Sequence, residues 1–122
     1  MHAQGRTRAR LFENAAIGMV SLMGPIRRLE TVRTRRVSVH ARSIDMLLHA
    51  WLSELLFLFD ARGMFITGFK NTTVVEQRIS STLLWTHSSA IHIRRQIKAV
   101  TLHRLEIKRL PDGYCASVIF DI

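Results

Sequence analysis

Few residues in this chain have the type and spacing to do chemistry, and the most suggestive of them stand at its end. The closing run "SVIFDI" reads as a strand, with Val118 and Phe120 on one face and Ile119 on the other. Asp121 and the terminal carboxylate of Ile122 then set two negative charges side by side. Histidine is abundant, but His87, His92 and His103 form no HxH or HxxxH pair and His49 stands alone, so the spacing gives no zinc site. No GxSxG elbow accompanies the serines, and the six glycines are scattered rather than gathered into a phosphate-cradling loop. The single cysteine, Cys115, excludes an internal disulfide and a cysteine-based zinc site, and its strand context predicts a buried, inert thiol. By these residues the chain is not an enzyme. One further segment departs from the bland pattern: "IKAVTLHRLEI", residues 97–107. Period-two alternation puts Lys98 on a face with Val100 and Leu102. A lysine there either snorkels at an edge or is aimed at a carboxylate or a bound partner.

The elements that must position these residues are legible. Residues 7–23 place Leu11, Ala15, Gly18, Met19 and Leu22 at helical spacing, with Thr7 as N-cap and Gly24-Pro25 as the stop. Residues 31–41 alternate as a half-exposed strand, Val37, Val39 and Ala41 against Arg36, Ser38 and His40. A second helix opens at Ser43, with Asp45 complementing its positive end. It carries Leu47, Leu48, Trp51, Leu52, Leu55, Leu56 and Phe59 on a broad apolar face and closes at Gly63. The runs "MFITGFK", "TVVEQRISSTLLWT", "IHIRRQIKAVTLHRLEIKRL" and "YCASVIFDI" are strand-like, with a hairpin at Leu110-Pro111-Asp112-Gly113. Two helices and largely consecutive strands predict an α+β fold, the helices packed on one face of a mostly antiparallel sheet.

Length and charge bound the function. With 122 residues, 48% of them hydrophobic, the chain makes one domain with a substantial core. No run reaches the roughly 18 to 20 apolar residues of a membrane span, and the basic N-terminus leads into no signal-type apolar stretch, which predicts a cytoplasmic protein without membrane contact. Eighteen Lys and Arg against nine Asp and Glu give a net charge of +9, and such a surface attracts polyanions, RNA first among them. The basic runs "RTRAR", "IRRLETVRTRR" and "IRRQIK" nonetheless lack the aromatic residues of a base-stacking platform.

The runs "LFENAA", "LLHAWLSELLFLFDARGMF", "IKAVTLHRLEI" and "ASVIFDI" together resemble the archeases, in order and over essentially the whole chain. Archeases are small α+β proteins that activate RtcB-type tRNA-splicing ligases, promoting guanylylation of the ligase and multiple turnover. The resemblance implies that Lys98 and Asp121 are the ligase-activating residues, with His103 a lesser companion. It also implies that Asp121 binds a divalent cation, calcium foremost, to which the Ile122 carboxylate could add an oxygen. Two departures accompany it. The aspartate of the family's N-terminal HTAD-like strand has no counterpart, because no aspartate precedes Asp45, and the chain is expected to be truncated there. The marked basicity is unusual, and Arg104 stands where a glycine is usual. The rival expectation is a basic adaptor that binds RNA or a partner protein on a degenerate archease scaffold.

Overall fold

The computed structural model describes residues 1–26 and 32–122. Among these residues, eight strands and two α-helices are laid out in the order β1 (His2–Gly5), α1 (Arg8–Met23), β2 (Arg33–His40), α2 (Ile44–Arg62), β3 (Met64–Val75), β4 (Arg78–His87), β5 (Ala99–Val100), β6 (Ile107–Leu110), β7 (Gly113–Ser117) and β8 (Phe120–Asp121), with a short 3₁₀ turn at Ser88–Ala90. The expected α+β class is borne out.

Both helices begin where their caps dictate. The Thr7 hydroxyl accepts the Arg10 N–H at 3.1 Å and the Ser43 hydroxyl accepts the Met46 N–H at 3.2 Å, each satisfying a donor the first turn leaves orphaned. Helix α2 ends at Gly63, whose φ of 64° lies in the left-handed region, so its N–H can turn back onto the Leu58 and Phe59 carbonyls. The apolar stripe of α2 is buried from Leu47 to Leu58, while Phe59 is only half-buried. The two helices are tied by the Trp51 indole, which donates to the Phe12 carbonyl at 3.0 Å inside the core.

The strands form three antiparallel ladders: β1-β7-β6, β2-β4-β3 and the two-stranded β5-β8. Helix α1 packs against β1, β7 and β3, and α2 against β2, β3, β4 and β5, so the helices bridge the ladders and share one core. The hairpin at Leu110–Gly113 forms as expected, with Leu110 opposite Gly113. A second tight turn at Glu76-Gln77 divides the run "TVVEQRISSTLLWT" between β3 and β4, with Val75 opposite Arg78. The expected strand over 31–41 starts two residues before β2 and ends one after it, and Thr31 lies outside the described residues.

Three expectations are corrected. The segment 91–110 is not continuous strand: only Ala99–Val100 and Ile107–Leu110 are. Its first part is drawn to the end of α1 instead, where the Arg94 and Arg95 N–H groups donate to the Met23 carbonyl and the Arg94 guanidinium donates to the Ser21 carbonyl at 3.1 Å. Those carbonyls have no partner within the helix, so capping them outcompetes a ladder. Nor does the last strand continue unbroken. Residues up to Val118 pair with the N-terminus, Val118 N–H donating to the Met1 carbonyl at 2.8 Å, whereas Ile119 to Asp121 pair with the segment around β5. The alternation read from the sequence survives this handover, with Val118 buried, Ile119 exposed and Phe120 half-buried. Finally, a strand does precede α1. His2–Gly5 pair with Tyr114–Ser117, although no acid stands among them. Gly5 is needed there because a Cβ would run into the backbone of Arg10 and Leu11 as the chain enters α1.

Candidate functional site

The two residues singled out by the sequence meet across the smallest ladder. Ala99 is opposite Asp121, and the Lys98 N–H also donates to the Asp121 carbonyl at 2.7 Å. Two consecutive residues thus face one, the arrangement of a β-bulge. The bulge explains a correction to the expected alternation: Ile97 and Val100, three residues apart, are both buried, and Lys98 is exposed rather than sharing an apolar face. Asp121 is exposed too, and no ion pair joins it to Lys98; among the described residues the ion pair within 4.0 Å is Arg10–Glu13.

A two-residue ladder has little cohesion of its own, and its position is set by tethers. On the α2 side, His49 Nε2 lies 2.9 Å from the Val100 carbonyl. That oxygen can only accept, so Nε2 carries the proton. On the β8 side, the Thr101 N–H and hydroxyl both donate to the Ile119 carbonyl, each at 3.0 Å. Further along, the Asp45 carboxylate accepts the Ile107 N–H at 2.8 Å, so the start of α2 fixes the start of β6 as well as serving its own dipole.

Between α2 and β5 runs a groove of about 300 Å³, lined by His49, Ser53, Leu56, Phe57, Asp60, Lys98, Ala99 and Val100. Lys98 and Asp60 bring opposite charges to its rim, and the Phe57 ring is 56% exposed beside them. An exposed aromatic flanked by charge is the composition of a protein-contact anchor. His49, Ser53, Phe57 and Asp60 were not singled out from the sequence. The available signal was Phe57, an aromatic lying off the apolar stripe of α2.

The remaining expected residues stand apart from the groove. His103 is exposed in the turn after β5, where the Leu105 N–H closes onto the Leu102 carbonyl at 3.1 Å. The next residue, Arg104, has φ 54°, a left-handed conformation that explains why glycine suits the position. Cys115 is half-exposed, not buried, and lines a separate cleft of about 510 Å³ with His2, Arg104, Glu106, Lys108 and Ser117. Ile122 is exposed at the end of β8. Among the described residues, no three or more His, Cys, Asp or Glu side chains are grouped so as to hold a metal ion. Asp121 and the Ile122 carboxylate fall short of the six to eight oxygens that calcium takes. These residues therefore do not fit a resident divalent cation.

The fold and site define a small two-helix α+β domain whose exposed lysine and aspartate meet at a short terminal ladder. The chain belongs to the archease protein family, whose pattern it matches across residues 1–122. It is 31% identical over 126 residues to an archease of Methanosarcina barkeri, a match covering 98% of this chain and 86% of that one. To an archease of Pyrobaculum calidifontis it is 34% identical over 133 residues, covering 100% and 87% of the two chains. The solution structure of protein 1598 of Methanobacterium thermoautotrophicum superposes with a TM-score of 0.77 at 31% identity, covering 99% of this chain and 89% of that one. The crystal structure of a Thermotoga maritima archease, described as a possible chaperone, has a TM-score of 0.70 at 17% identity, over 100% and 88% of the two chains, and speaks for the fold alone. No helix among the described residues is long and apolar enough to cross a membrane.

Proposed function

We propose that this archease activates an RtcB-type RNA ligase in the cytoplasm, promoting the ligase's guanylylation and multiple turnover in tRNA splicing or RNA repair, without catalysing a reaction itself. The observation that carries the reading is the main-chain pairing of Lys98 with Asp121 where β5 meets β8, with Lys98 at the rim of a groove that has an exposed Phe57. In this reading Phe57 supplies the apolar anchor on the ligase, while Lys98 and Asp121 supply charge directed at its active site. His103 is exposed in the turn after β5, apart from the groove, and has a lesser part in this reading. Calcium has no step in this proposal, because Asp121 and Ile122 are not joined by further acids among the described residues.

The test is multiple-turnover ligation of a broken RNA by an RtcB-type ligase from the same source, with and without the chain. Added chain should raise turnover, and Lys98→Ala or Asp121→Asn should each remove about tenfold or more of the gain, the scale of ~1.4 kcal/mol. Equal turnover with and without the chain rejects activation, and full activity of both variants rejects the site.

A further inference from the structure

Charge is distributed very unevenly over this molecule. The ladder β2-β4-β3 carries Arg33, Arg35, Arg36, Lys70 and Arg78 and not one Asp or Glu along its three strands. By contrast, α2 carries Asp45, Glu54 and Asp60 against Arg62. Period-two alternation assigns the two faces of the ladder. Val37, Ile79, Ser81 and Leu83 are buried against the helices. The opposite face is therefore made of four rungs: Thr34, Leu84 and Gly68; Arg36, Thr82 and Lys70; Ser38, Ser80 and Thr73; His40, Arg78 and Val75.

That outer face is exposed and internally organised, with a shift of register in β3 between Lys70 and Thr73. Arg36 Nη1 donates to Thr82 Oγ1 and to the Asn71 carbonyl, both at 3.2 Å, which holds the guanidinium over the sheet. The Ser38 and Ser80 hydroxyls lie 3.2 Å apart, and Arg78 reaches Ser38 Oγ at 3.5 Å. Arg36 and Lys70 flank one residue, so their strands are about 10 Å apart, and Arg78 lies about 13 Å further along. Arg35 and Arg33 alternate onto the other face of β2, against the Met64 sulfur and over the Trp85 ring, so the charge of the outer face is that of Arg36, Lys70 and Arg78.

We propose that the outer face of the β2-β4-β3 ladder binds the backbone of double-stranded RNA. The site goes beyond the activator reading and does not depend on it. Three observations choose this occupant. A protein partner would need a desolvated apolar or aromatic anchor, and the rungs offer only the half-buried Leu84 at one end and the lone Val75 at the other; polar, strongly positive surfaces are the mark of nucleic-acid interfaces. No aromatic ring stands among the rungs, so unstacked single-stranded bases find no platform. A sheet face with short hydroxyl side chains suits the wide, shallow minor groove of A-form RNA, where 2′-hydroxyls and phosphates line the surface. Among the described residues no helix projects from it to enter the major groove of DNA.

The experiment is fluorescence anisotropy with the full chain and a labelled RNA duplex of about 16–20 base pairs, titrated from 50 to 200 mM KCl. Three phosphate contacts predict a log–log salt slope of about −3 and a weakening of roughly 50-fold over that range. Arg36→Gln, Lys70→Gln and Arg78→Gln should each make the slope shallower by about one, while Arg8→Gln on α1 leaves it unchanged. Amide shifts of the unmodified chain on adding the duplex should concentrate at Ser38, Ser80 and Thr82, a readout independent of whether any variant folds. A slope unaltered in the three variants overturns the proposal, as do amide shifts elsewhere. Equal affinity for a DNA duplex of the same sequence, or equally effective competition by polyglutamate, overturns it too.

Discussion

The position of Lys98 is predicted to hang on one histidine of α2. His49 Nε2 donates to the Val100 carbonyl at 2.9 Å, and the ladder this steadies is only Ala99–Val100 against Phe120–Asp121. In His49→Phe the ring volume is roughly kept and the donor is lost. A hydrogen bond contributes about 1 kcal/mol net, and a part-buried carbonyl left without a partner raises the loss to roughly 1–2 kcal/mol. For a chain of this length that lowers the melting temperature by about 4–8 °C. The more telling effect is local. If β5 depends on the tether, the Lys98 and Thr101 amides, which donate to the Asp121 and Ile119 carbonyls at 2.7 and 3.0 Å, should exchange with solvent about 5- to 30-fold faster, the equivalent of that energy. Amides of the core, such as those of Leu52 and Leu83, should change only in step with global stability. The assay is hydrogen exchange read by NMR beside thermal melts, with His49→Gln included because its amide can still donate. If Lys98 and Thr101 exchange at the original rate while the melting temperature falls, His49 serves the core alone and the tether argument is wrong.

Two other outcomes follow from single positions. Arg104 at φ 54° bears a left-handed cost of roughly 1–2 kcal/mol, which glycine would relieve while giving back about 0.4–1 kcal/mol through its freer unfolded chain. Arg104→Gly should therefore be neutral or stabilising by up to about 1.5 kcal/mol in urea titration, and Arg104→Val clearly destabilising. The sparse oxygen set at Asp121 and Ile122 predicts calcium binding no tighter than the millimolar range. Exchanging 1 mM CaCl2 for EDTA should then move the melting temperature by less than about 2 °C, and a shift above about 5 °C would reveal a complete site.

Sequence periodicity revealed the helices and their caps because those signals are local. Thr7, Ser43 and Gly63 act within a turn of themselves, and the α2 stripe needs only helical spacing. The terminal alternation of Val118, Ile119 and Phe120 was legible for the same reason. What failed was decided at long range. Residues 91–95 have strand-like composition, yet the free carbonyl of Met23, some seventy residues earlier, captures the Arg94 and Arg95 amides. The bulge at Lys98 is likewise invisible locally, since nothing in "IKAVT" says that Asp121 will answer two residues at once. Lys98 and Asp121 could be singled out, but the groove could not, because His49, Ser53, Phe57 and Asp60 acquire meaning only once β5 lies against them.

Those four residues clarify how the site is built. They recur along α2 at 49, 53, 57 and 60, a second helical stripe beside the buried one. A helix fixed by its core stripe is a rigid mount, so the groove inherits its geometry from the interior and not from a loop. The opposite wall is different in kind: β5 is a two-residue strand between irregular segments, steadied by His49 and Thr101. A rigid wall with Phe57 and Asp60 thus faces a light one with Lys98. Movement on docking a partner should concentrate in residues 96–101 and leave α2 in place. The carbonyl tethers that steady Lys98 are accordingly also what restrains it, and loosening them separates recognition at Phe57 from the placement of charge at Lys98.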